Sequence, residues 1–299
     1  MDWHDGRGSA FVLFPNLNVS DPAWRALNRD PRFRRALSLG IDRHEINEVV
    51  YYGLGKEGGN TVLPQSELYK PEFRAAYADH DPKAANALLD AIGLTKRDSE
   101  GFRLLPDGRP LTIIVDLAGQ IAEEPDVMEL VGDQWRAIGV RLFTKPSALD
   151  VFRNRIFAGE SLMSVWTGFD DGIATADSMP DELAPVLQQD YQWPKWGQYY
   201  ETRGMSGEPP DLPEAKELLG LMDKWRAAGD TASRRAVWER MLQIYADQVF
   251  TIGIVSDVPQ PVVVSRRLHN VPEQAIYAFD PGAYFGIYHP DLFWLEPGT

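Results

Sequence analysis

The sequence predicts an α/β protein built around an open sheet. Three apolar segments of strand length, at residues 111–115, 140–143 and 162–166, are separated by segments whose apolar residues have helical spacing. This order of strand, helix, strand, helix, strand is typical of parallel strands joined by crossover helices. The chain has 299 residues, of which 44% are hydrophobic and 25% are charged, so it can bury a sizeable core.

Several helix starts are marked by capping residues. Asp30 and Asp81 each precede a proline, which is the arrangement of an N-cap carboxylate followed by proline at the first helical position. Asp42 is followed three residues later by Glu45, a variant of the capping box. Apolar spacing predicts further helices around residues 127–138, 151–156, 218–225 and 237–245, and strands at 10–14, 250–255 and 261–264. Residues 167–213 are predicted to be irregular, and long connections of this kind are often functional.

Composition and charge argue against several classes of function. Lys and Arg total 30 against 44 Asp and Glu, and the net charge of −14 disfavours binding to nucleic acid or to anionic membrane surfaces. The chain has no cysteine, which excludes thiol catalysis, iron–sulfur clusters and disulfides. The five histidines lack metal-ligand spacing. The N-terminus lacks the basic start and apolar run of a secretory signal, and no segment approaches the about 18 apolar residues that span a bilayer.

A search for catalytic motifs finds one suggestive acidic pair, Asp170 and Asp171. The spacing of a phosphate-binding loop and that of a nucleophile elbow are both absent from the sequence. Neighbouring side chains in an extended segment point to opposite sides, so this pair alone does not form the facing carboxylates of a glycosidase. Three interpretations stay open: solvated loop carboxylates, ligand binding by one of them, and catalysis, which is the least favoured.

Aromatic residues are concentrated in and beside the irregular stretch. They are Trp166, Phe169, Tyr191, Trp193, Trp196, Tyr199 and Tyr200. Trp135, Trp225 and Trp238 have the helical spacing of core residues, whereas we find no regular apolar stripe that accounts for this group. Flat apolar rings with polar edges suit peptide or sugar ligands. Two roles remain open for the group: lining a cleft, or fixing the loop in place.

Several segments together resemble the extracellular solute-binding proteins of ABC importers of family 5, the dipeptide, oligopeptide and nickel type. Residues 30–43, DPRFRRALSLGIDR, are similar to the family's D-x-R-x-R-x-A-L-x-x-A-I-D-R run. Residues 81–94 are similar to its D-P-x-K-A-x-x-L-L-x-x-A-G run, and residues 135–140, WRAIGV, to its W-x-x-x-G-[IV] run. Gly101-Phe102 and Asp107-Gly108 match two further landmarks, and all of these segments occur in the family's order.

The resemblance implies an α/β periplasmic-binding-protein class II fold, in which two lobes close on a ligand. It implies a C-terminal portion with lobe two complete plus the C-terminal return of lobe one, lacking the export signal and long first segment of family members. Residues 1–15 would end a lobe-one segment and form the first crossover, and residues 16–256 would form lobe two. Residues 257–299 would form the second crossover and the return to lobe one. We expect the crossovers near residues 15 and 256 to lie side by side.

The resemblance also implies a ligand site at the end of the last lobe-two strand. Peptide-binding members carry W-x-x-D there, and the aspartate holds the peptide ammonium. Here residues 166–171 read WTGFDD, so Phe169 stands at the aspartate position and Asp170 follows it. Two explanations stay open: a one-residue shift that gives the anchoring role to Asp170, or a ligand without an α-ammonium. The departure puts peptide specificity in doubt, and relatives that take oligosaccharides fit the aromatic stretch at least as well. The residues that we expect to bind ligand are Asn16, Trp166, Phe169, Asp170, Asp171, Trp196, Tyr199 and Tyr200.

We therefore expect the solute-binding component of an ABC import system, located in the periplasm or at the cell surface. It would capture an oligopeptide or an oligosaccharide and deliver it to a membrane permease, with no catalytic residue, cofactor, metal or nucleic-acid partner. The alternatives are a hydrolase of peptides or sugars, which would bring two or more ionisable groups together in one pocket, and a cytoplasmic ligand-sensing domain with the same fold. As a fragment, the chain would bind ligand weakly and could self-associate through exposed aromatic residues.

Overall fold

The computed structural model describes residues 1–277 and 288–297. The strands are β1 (Asp2–Asp5), β2 (Val12–Pro15), β3 (Lys56–Glu57), β4 (Thr112–Leu117), β5 (Arg141–Pro146), β6 (Met163–Trp166), β7 (Ile252–Gly253), β8 (Val255–Ser256), β9 (Leu268–His269), β10 (Gln274–Tyr277) and β11 (Trp294–Leu295). The helices are α1 (Pro22–Arg29), α2 (Pro31–Leu39), α3 (Arg43–Val50), α4 (Pro71–Ala75), α5 (Pro82–Ala91), α6 (Glu124–Arg136), α7 (Leu149–Ala158), α8 (Pro194–Glu201), α9 (Pro213–Ala227) and α10 (Thr231–Gln248). In this part of the chain, no helix combines the length and apolar character needed to cross a membrane.

The main sheet has five strands in the order β5, β4, β6, β2, β7. Strand β4 pairs in parallel with β5 on one side and with β6 on the other, and helices α6 and α7 connect these three strands in sequence. Strand β2 lies antiparallel to both β6 and β7. The predicted α/β sheet with crossover helices is therefore confirmed, and it is extended by the antiparallel strand β2 and then by β7, which runs in the same direction as β6.

The sheet separates two apolar layers, because successive side chains of a strand point to opposite faces. On β2 and the residue before it, Phe11 and Leu13 belong to the large core formed with α2, α3, α5 and α6. Val12 and Phe14 face the other way, into a smaller layer with Phe152 of α7. A third apolar cluster, between α8, α9 and α10, holds the C-terminal half of the predicted lobe two.

The helix starts follow the predicted caps. The Asp30 carboxylate accepts the backbone N–H of Arg32, and α2 begins at Pro31. The Asp42 carboxylate accepts the backbone N–H of Glu45 at the start of α3, and the Asp81 carboxylate caps α5 in the same way. These bonds satisfy N–H groups that the first turn of a helix leaves without intrahelical partners.

Three sequence predictions are wrong in detail. The expected strand at residues 261–264 is irregular, and the expected strand at residues 250–255 is divided between β7 and β8. The stretch predicted to be irregular, residues 167–213, contains helix α8. Trp193, Trp196 and Tyr200 are spaced by three and four residues, and Pro194 stands at the first helical position, so the pattern of a helix is present there.

The two predicted crossovers lie side by side, as expected. Val12 of β2 pairs with Gly253 of β7, and the backbone N–H of Ala10 donates to the Val255 carbonyl at 2.7 Å. Beyond them, β1 pairs in parallel with β10 in a separate two-stranded sheet, and β9 pairs with β11 in another. Residues 278–287 and 298–299 of the predicted return segment lie outside the described residues.

Candidate functional site

A cavity of about 660 Å³, called here the main cavity, lies where strands β4 and β6 end, beside the two predicted crossovers. Its lining includes three segments: residues 120–123 after β4, residues 166, 167 and 170 at and after the end of β6, and residues 258–261 after β8. Ligands of open α/β sheets bind beyond the carboxyl ends of the strands, where loops can converge without distorting the sheet. The position of the main cavity fits this rule.

Trp166 forms an aromatic wall of the main cavity. Its ring is stacked on Phe152 of α7, with centroids 6.0 Å apart and an interplanar angle of 29°. Tyr191 meets the same ring edge-on at 6.0 Å, and Phe14 in turn contacts Tyr191 edge-on at 5.9 Å. This packing holds a partly exposed indole in one orientation, which is what a stacking surface for a flat or ring-shaped ligand requires.

A smaller cavity of about 160 Å³, called here the inner cavity, adjoins the main cavity and extends toward α10. The two cavities share the lining residues Arg153, Trp166, Thr167, Asp170 and Gln189. Glu182 and Asp190 also line the inner cavity. Burial raises the pKa of the Glu182 carboxyl to about 8 and raises that of Asp190 well above its ordinary range. Glu182 therefore holds a proton near neutral pH, and burial favours the neutral form of Asp190 as well, which lowers the negative charge beneath the site.

The loop that follows β6 is fixed by its backbone groups. The N–H of Asp170 donates to both carboxylate oxygens of Glu182, at 3.0 and 3.1 Å, and the N–H of Phe169 donates to Oδ1 of Asn60 at 3.2 Å. The N–H of Gly168 donates to the carbonyl of Ser9 at 2.8 Å. These bonds tie the loop to both the inner cavity and the first crossover, so the side chains at 166 and 170 are held in place.

The hydrolase alternative predicts convergent ionisable groups, and the inner cavity does contain them. Asp170, Glu182 and Asp190 are all in its lining. Two of these carboxyls already accept hydrogen bonds from the protein, however, because Glu182 accepts the Asp170 N–H and Asp190 accepts the Trp193 indole N–H at 3.2 Å. They support the loop and the aromatic packing. Among the described residues, no group of three or more His, Cys, Asp or Glu is arranged to hold a metal ion.

The structure brings three of the predicted ligand residues to the cavities. Trp166 and Asp170 line both, and Phe169 lines the inner cavity while its ring packs against Tyr245 at 5.5 Å. Asp171 follows in the same loop but lies outside the lining of either cavity. Phe169 is only 6% exposed, so it contributes mainly to the walls behind the site.

Four of the predicted ligand residues lie outside both cavities, which corrects the prediction: Trp196, Tyr199, Tyr200 and Asn16. Trp196 is fully buried and stacks on Trp193 at 6.2 Å, because helix α8 turns its ring into the third apolar cluster. Tyr199 and Tyr200 lie on the same helix outside both cavities, and the Tyr200 hydroxyl accepts a bond from Arg226. Asn16 is buried and uses its side chain to bond backbone groups of Ser161 and residue 18.

Sequence reasoning missed several residues of the site. Arg153, Gln189 and Tyr51 line the main cavity from three different elements or loops, together with Asp5 and Arg7 before β2. Arg153 follows Phe152 in α7, and its guanidinium reaches Tyr191, 38 positions later in the chain. No local pattern marks such a contact, since it depends on how α7 packs on the sheet. The position of segment 120–123, by contrast, follows from the rule for strand ends.

A larger groove of about 870 Å³ runs along the edge of the sheet, between α6 and β5. It is lined by apolar residues such as Phe102, Met128 and Phe143, and none of the predicted ligand residues lies in it. The main cavity is the better candidate because Trp166 forms an aromatic wall there and the segments at the ends of both β4 and β6 converge on it.

Comparison with known proteins agrees with this architecture. The sequence profile of "Bacterial extracellular solute-binding proteins, family 5 Middle" matches residues 3–185. The periplasmic alpha-galactoside-binding protein of Rhizobium meliloti (strain 1021) is 23% identical over 283 residues, which cover 89% of this chain and 39% of that relative.

Solved structures give the same result. The oligopeptide-binding protein OppA is 29% identical with a TM-score of 0.80, and the match covers 99% of this chain and 48% of that one. The periplasmic binding protein MelB of Agrobacterium fabrum C58, solved with stachyose, is 21% identical with a TM-score of 0.74 and coverages of 98% and 44%. The chain thus spans less than half the length of each of these three relatives. It has the class II fold of periplasmic binding proteins and belongs to the bacterial extracellular solute-binding proteins of family 5.

Proposed function

We propose that this chain acts as part of the solute-binding component of an ABC import system. It captures a small oligomeric solute and passes it to a membrane permease, from the periplasm or the cell surface. The observation that carries the proposal is the main cavity, which lies at the strand ends beside both crossovers and has Trp166 as its aromatic wall. We propose no catalytic step, because the buried carboxyls are engaged by protein donors.

The solute class that the site favours is an oligosaccharide. Sugar rings expose C–H faces that pack on an indole, and their hydroxyls bond to side chains such as Asp170 and Gln189 at the same cavity. The position at which peptide-binding members carry their anchoring aspartate holds Phe169, which is buried. Two relatives are named for alpha-galactoside binding and for a stachyose complex, which supports this choice over an oligopeptide.

The proposed division into lobes follows the crossovers. Residues 16–256 form lobe two, and residues 1–15 and 257–299 belong to lobe one and the crossovers. The pairing of β2 with β7 supports the position of the hinge, and the separate pairing of β1 with β10 supports a second structural unit. In this arrangement the main cavity opens toward the interface between the lobes, where a closing lobe would exclude water from the ligand.

Calorimetric titration with stachyose tests the proposed function. We expect saturable binding that Trp166→Ala weakens about tenfold or more, because the stacking surface is lost. Tyr200→Ala is the matched control, since it removes an exposed aromatic side chain that the sequence placed in the site and the structure places outside it. Chromatography of stachyose after incubation should show no hydrolysis. Equal effects of the two substitutions, or cleavage of the sugar, would contradict the proposal.

A further inference from the structure

We propose that the ligand is an acidic oligosaccharide, in which a uronic acid unit stacks on Trp166 and places its carboxylate on the Arg153 guanidinium. This inference rests on the proposed function, because it names the ligand class of the same site. It starts from the balance of charges in the two cavities.

The arginines in the described lining of the cavities are Arg7 and Arg153. Arg7 is neutralised within the protein, because its Nε donates to the Asp5 carboxylate oxygens at 2.9 and 3.2 Å. Arg153 has no such partner, and among the described residues it forms no ion pair with a carboxylate. It is therefore the cation at which a ligand anion can be recognised.

The contacts that Arg153 does make leave its charge unbalanced. Its Nε donates to the Tyr191 hydroxyl at 3.3 Å, and burial raises the pKa of that phenol above its ordinary value. Tyr191 consequently stays neutral and orients the guanidinium without cancelling its charge. Within residues 1–277 and 288–297, no other hydrogen bond engages the remaining N–H groups of Arg153, which can form the paired, parallel bonds with which arginine binds a carboxylate.

The ligand must also use the indole beside this cation. The Arg153 guanidinium carbon lies 5.9 Å from the centroid of the Trp166 ring, and both residues line both cavities. A six-membered ring placed on the indole has its substituents within reach of the guanidinium. In a uronic acid the carboxylate is attached directly to that ring, so one unit can satisfy both groups.

The other charges of the main cavity limit how many negative charges the ligand can carry. Glu123 and Asp170 line the same cavity, and the chain has a net charge of −14, so a densely anionic ligand would be repelled. Hydroxyls of neighbouring sugar units suit these carboxylates as donors. A peptide C-terminus would also supply a carboxylate, but an extended peptide backbone offers no ring to the indole at the adjoining position.

The decisive comparison uses a matched pair of ligands, a trisaccharide with a single galacturonate unit and the same trisaccharide with that carboxyl group reduced to an alcohol. Both are titrated into the wild-type chain and into Arg153→Gln, Arg153→Lys and Arg240→Gln, with stachyose as the neutral reference. Arg240 is an exposed arginine of α10 that lies outside the lining of both cavities. Circular dichroism and thermal unfolding check that each variant is folded. The readout is the ratio of the two affinities, so a low overall affinity does not affect it.

We expect the wild-type chain to bind the acidic trisaccharide about tenfold or more tightly than the reduced trisaccharide, which is the scale of one charge-assisted pair. Arg153→Gln should abolish this preference, Arg153→Lys should keep part of it, and Arg240→Gln should leave it unchanged. Added salt should weaken the binding of the acidic ligand and leave the binding of the neutral ligand unchanged.

Three results would overturn the inference. Equal or tighter binding of the reduced trisaccharide, or of stachyose, shows that the site takes neutral sugars and leaves the proposed function standing. A preference for the acid that survives in Arg153→Gln shows that another group reads the carboxylate. Binding of triglycine that depends on Arg153, with no saccharide binding, shows that the carboxylate comes from a peptide and overturns the saccharide assignment in the proposed function as well.

Discussion

Glu182 and Asp170 are joined through the backbone, because the N–H of Asp170 donates to both carboxylate oxygens of Glu182 at 3.0 and 3.1 Å. The Glu182 carbonyl also accepts the Tyr245 hydroxyl at 2.8 Å, which links the same residue to helix α10. The segment that carries Trp166 and Asp170 is thereby attached to the third apolar cluster. Glu182 thus couples the loop after β6 to the core of the fold, through its carboxylate on one side and its backbone carbonyl on the other.

This coupling predicts a pH dependence of stability. The pKa of Glu182 is raised by burial from 4.5 to about 8, so between these pH values the folded chain holds a proton that the unfolded chain releases. The contribution of Glu182 to the free energy of unfolding therefore decreases as pH rises from about 4.5 to 8. Urea unfolding across this range should show a shallower decrease for Glu182→Gln than for the wild-type chain. Asp190 retains part of the slope, since its pKa is raised as well.

Glu72→Gln is the control for this measurement, since Glu72 is an exposed glutamate on helix α4. It should reproduce the wild-type slope. Identical pH profiles for Glu182→Gln and the wild-type chain would show that Glu182 does not exchange its proton in this range.

A second prediction concerns Arg34, which is fully buried between α2 and the end of α10. Its guanidinium donates to the carbonyls of Asn28, Gln248 and Val249, at distances between 2.5 and 3.1 Å. Arg34→Lys cannot reach all three acceptors, and it leaves buried carbonyls unpaired. We expect a loss of about 2–4 kcal/mol in the free energy of unfolding.

The control for Arg34 is Arg32→Lys, at an arginine side chain that is 48% exposed and pairs with Asp30. Chemical unfolding should detect a loss of less than about 0.5 kcal/mol there. A similar small loss at Arg34 would mean that the lysine finds equivalent acceptors. The comparison separates burial from charge, because both substitutions keep a positive group.

The strands and helices that the sequence predicted well are those whose signals are local. Caps such as Asp30 and Asp42, and apolar periodicity on both sides of the sheet, depend on neighbouring residues. Helix α8 shows the limit of this reasoning, since its aromatic residues have helical spacing but its Gly- and Pro-rich surroundings favoured a loop. Weighing composition above spacing led to the wrong prediction.

The sequence predicted where the candidate site lies, but not all of the residues that line it. Trp166 and Asp170 follow a strand end, so the rule for open sheets placed them correctly beside the main cavity. Arg153 and Gln189 come from elements far apart in sequence, and their convergence depends on tertiary packing that no local pattern encodes. Trp196 illustrates the opposite error, because an aromatic residue near a cleft in sequence can belong wholly to the core.

Trp196 provides a third prediction. Its ring is fully buried, stacked on Trp193 and covered by the Arg29 guanidinium at 5.3 Å. Trp196→Ala should lower the free energy of unfolding by about 3–5 kcal/mol, because it creates a large cavity. Trp196→Phe should lower the free energy of unfolding by less than Trp196→Ala does. Calorimetry should show that this variant binds stachyose like the wild-type chain. If the Trp196→Phe variant were folded but bound stachyose more weakly, Trp196 would contribute to the ligand site after all.

The last prediction concerns Gly168, which lies between Trp166 and Asp170 in the ligand loop. A Cβ atom at this position would come within 2.2 Å of Asn60 Oδ1 and 2.6 Å of the backbone nitrogen of Ser9, distances that ordinary contacts do not allow. Gly168→Ala must therefore displace the loop from the first crossover or from Asn60. We expect weaker binding of stachyose, together with a lower free energy of unfolding, because the bonds that fix the loop are strained or lost.

Gly220→Ala is the matched substitution, since Gly220 lies inside α9 and a Cβ atom there meets nothing within 4 Å. Alanine restricts the unfolded chain and favours the helix, so this variant should gain about 0.5–1 kcal/mol of stability while ligand affinity stays unchanged. Thermal unfolding and calorimetry on both variants make the comparison. If Gly168→Ala proved as harmless as Gly220→Ala, the loop would not be held against the crossover as the structure shows, and the rigid placement of Trp166 and Asp170 would lose its basis.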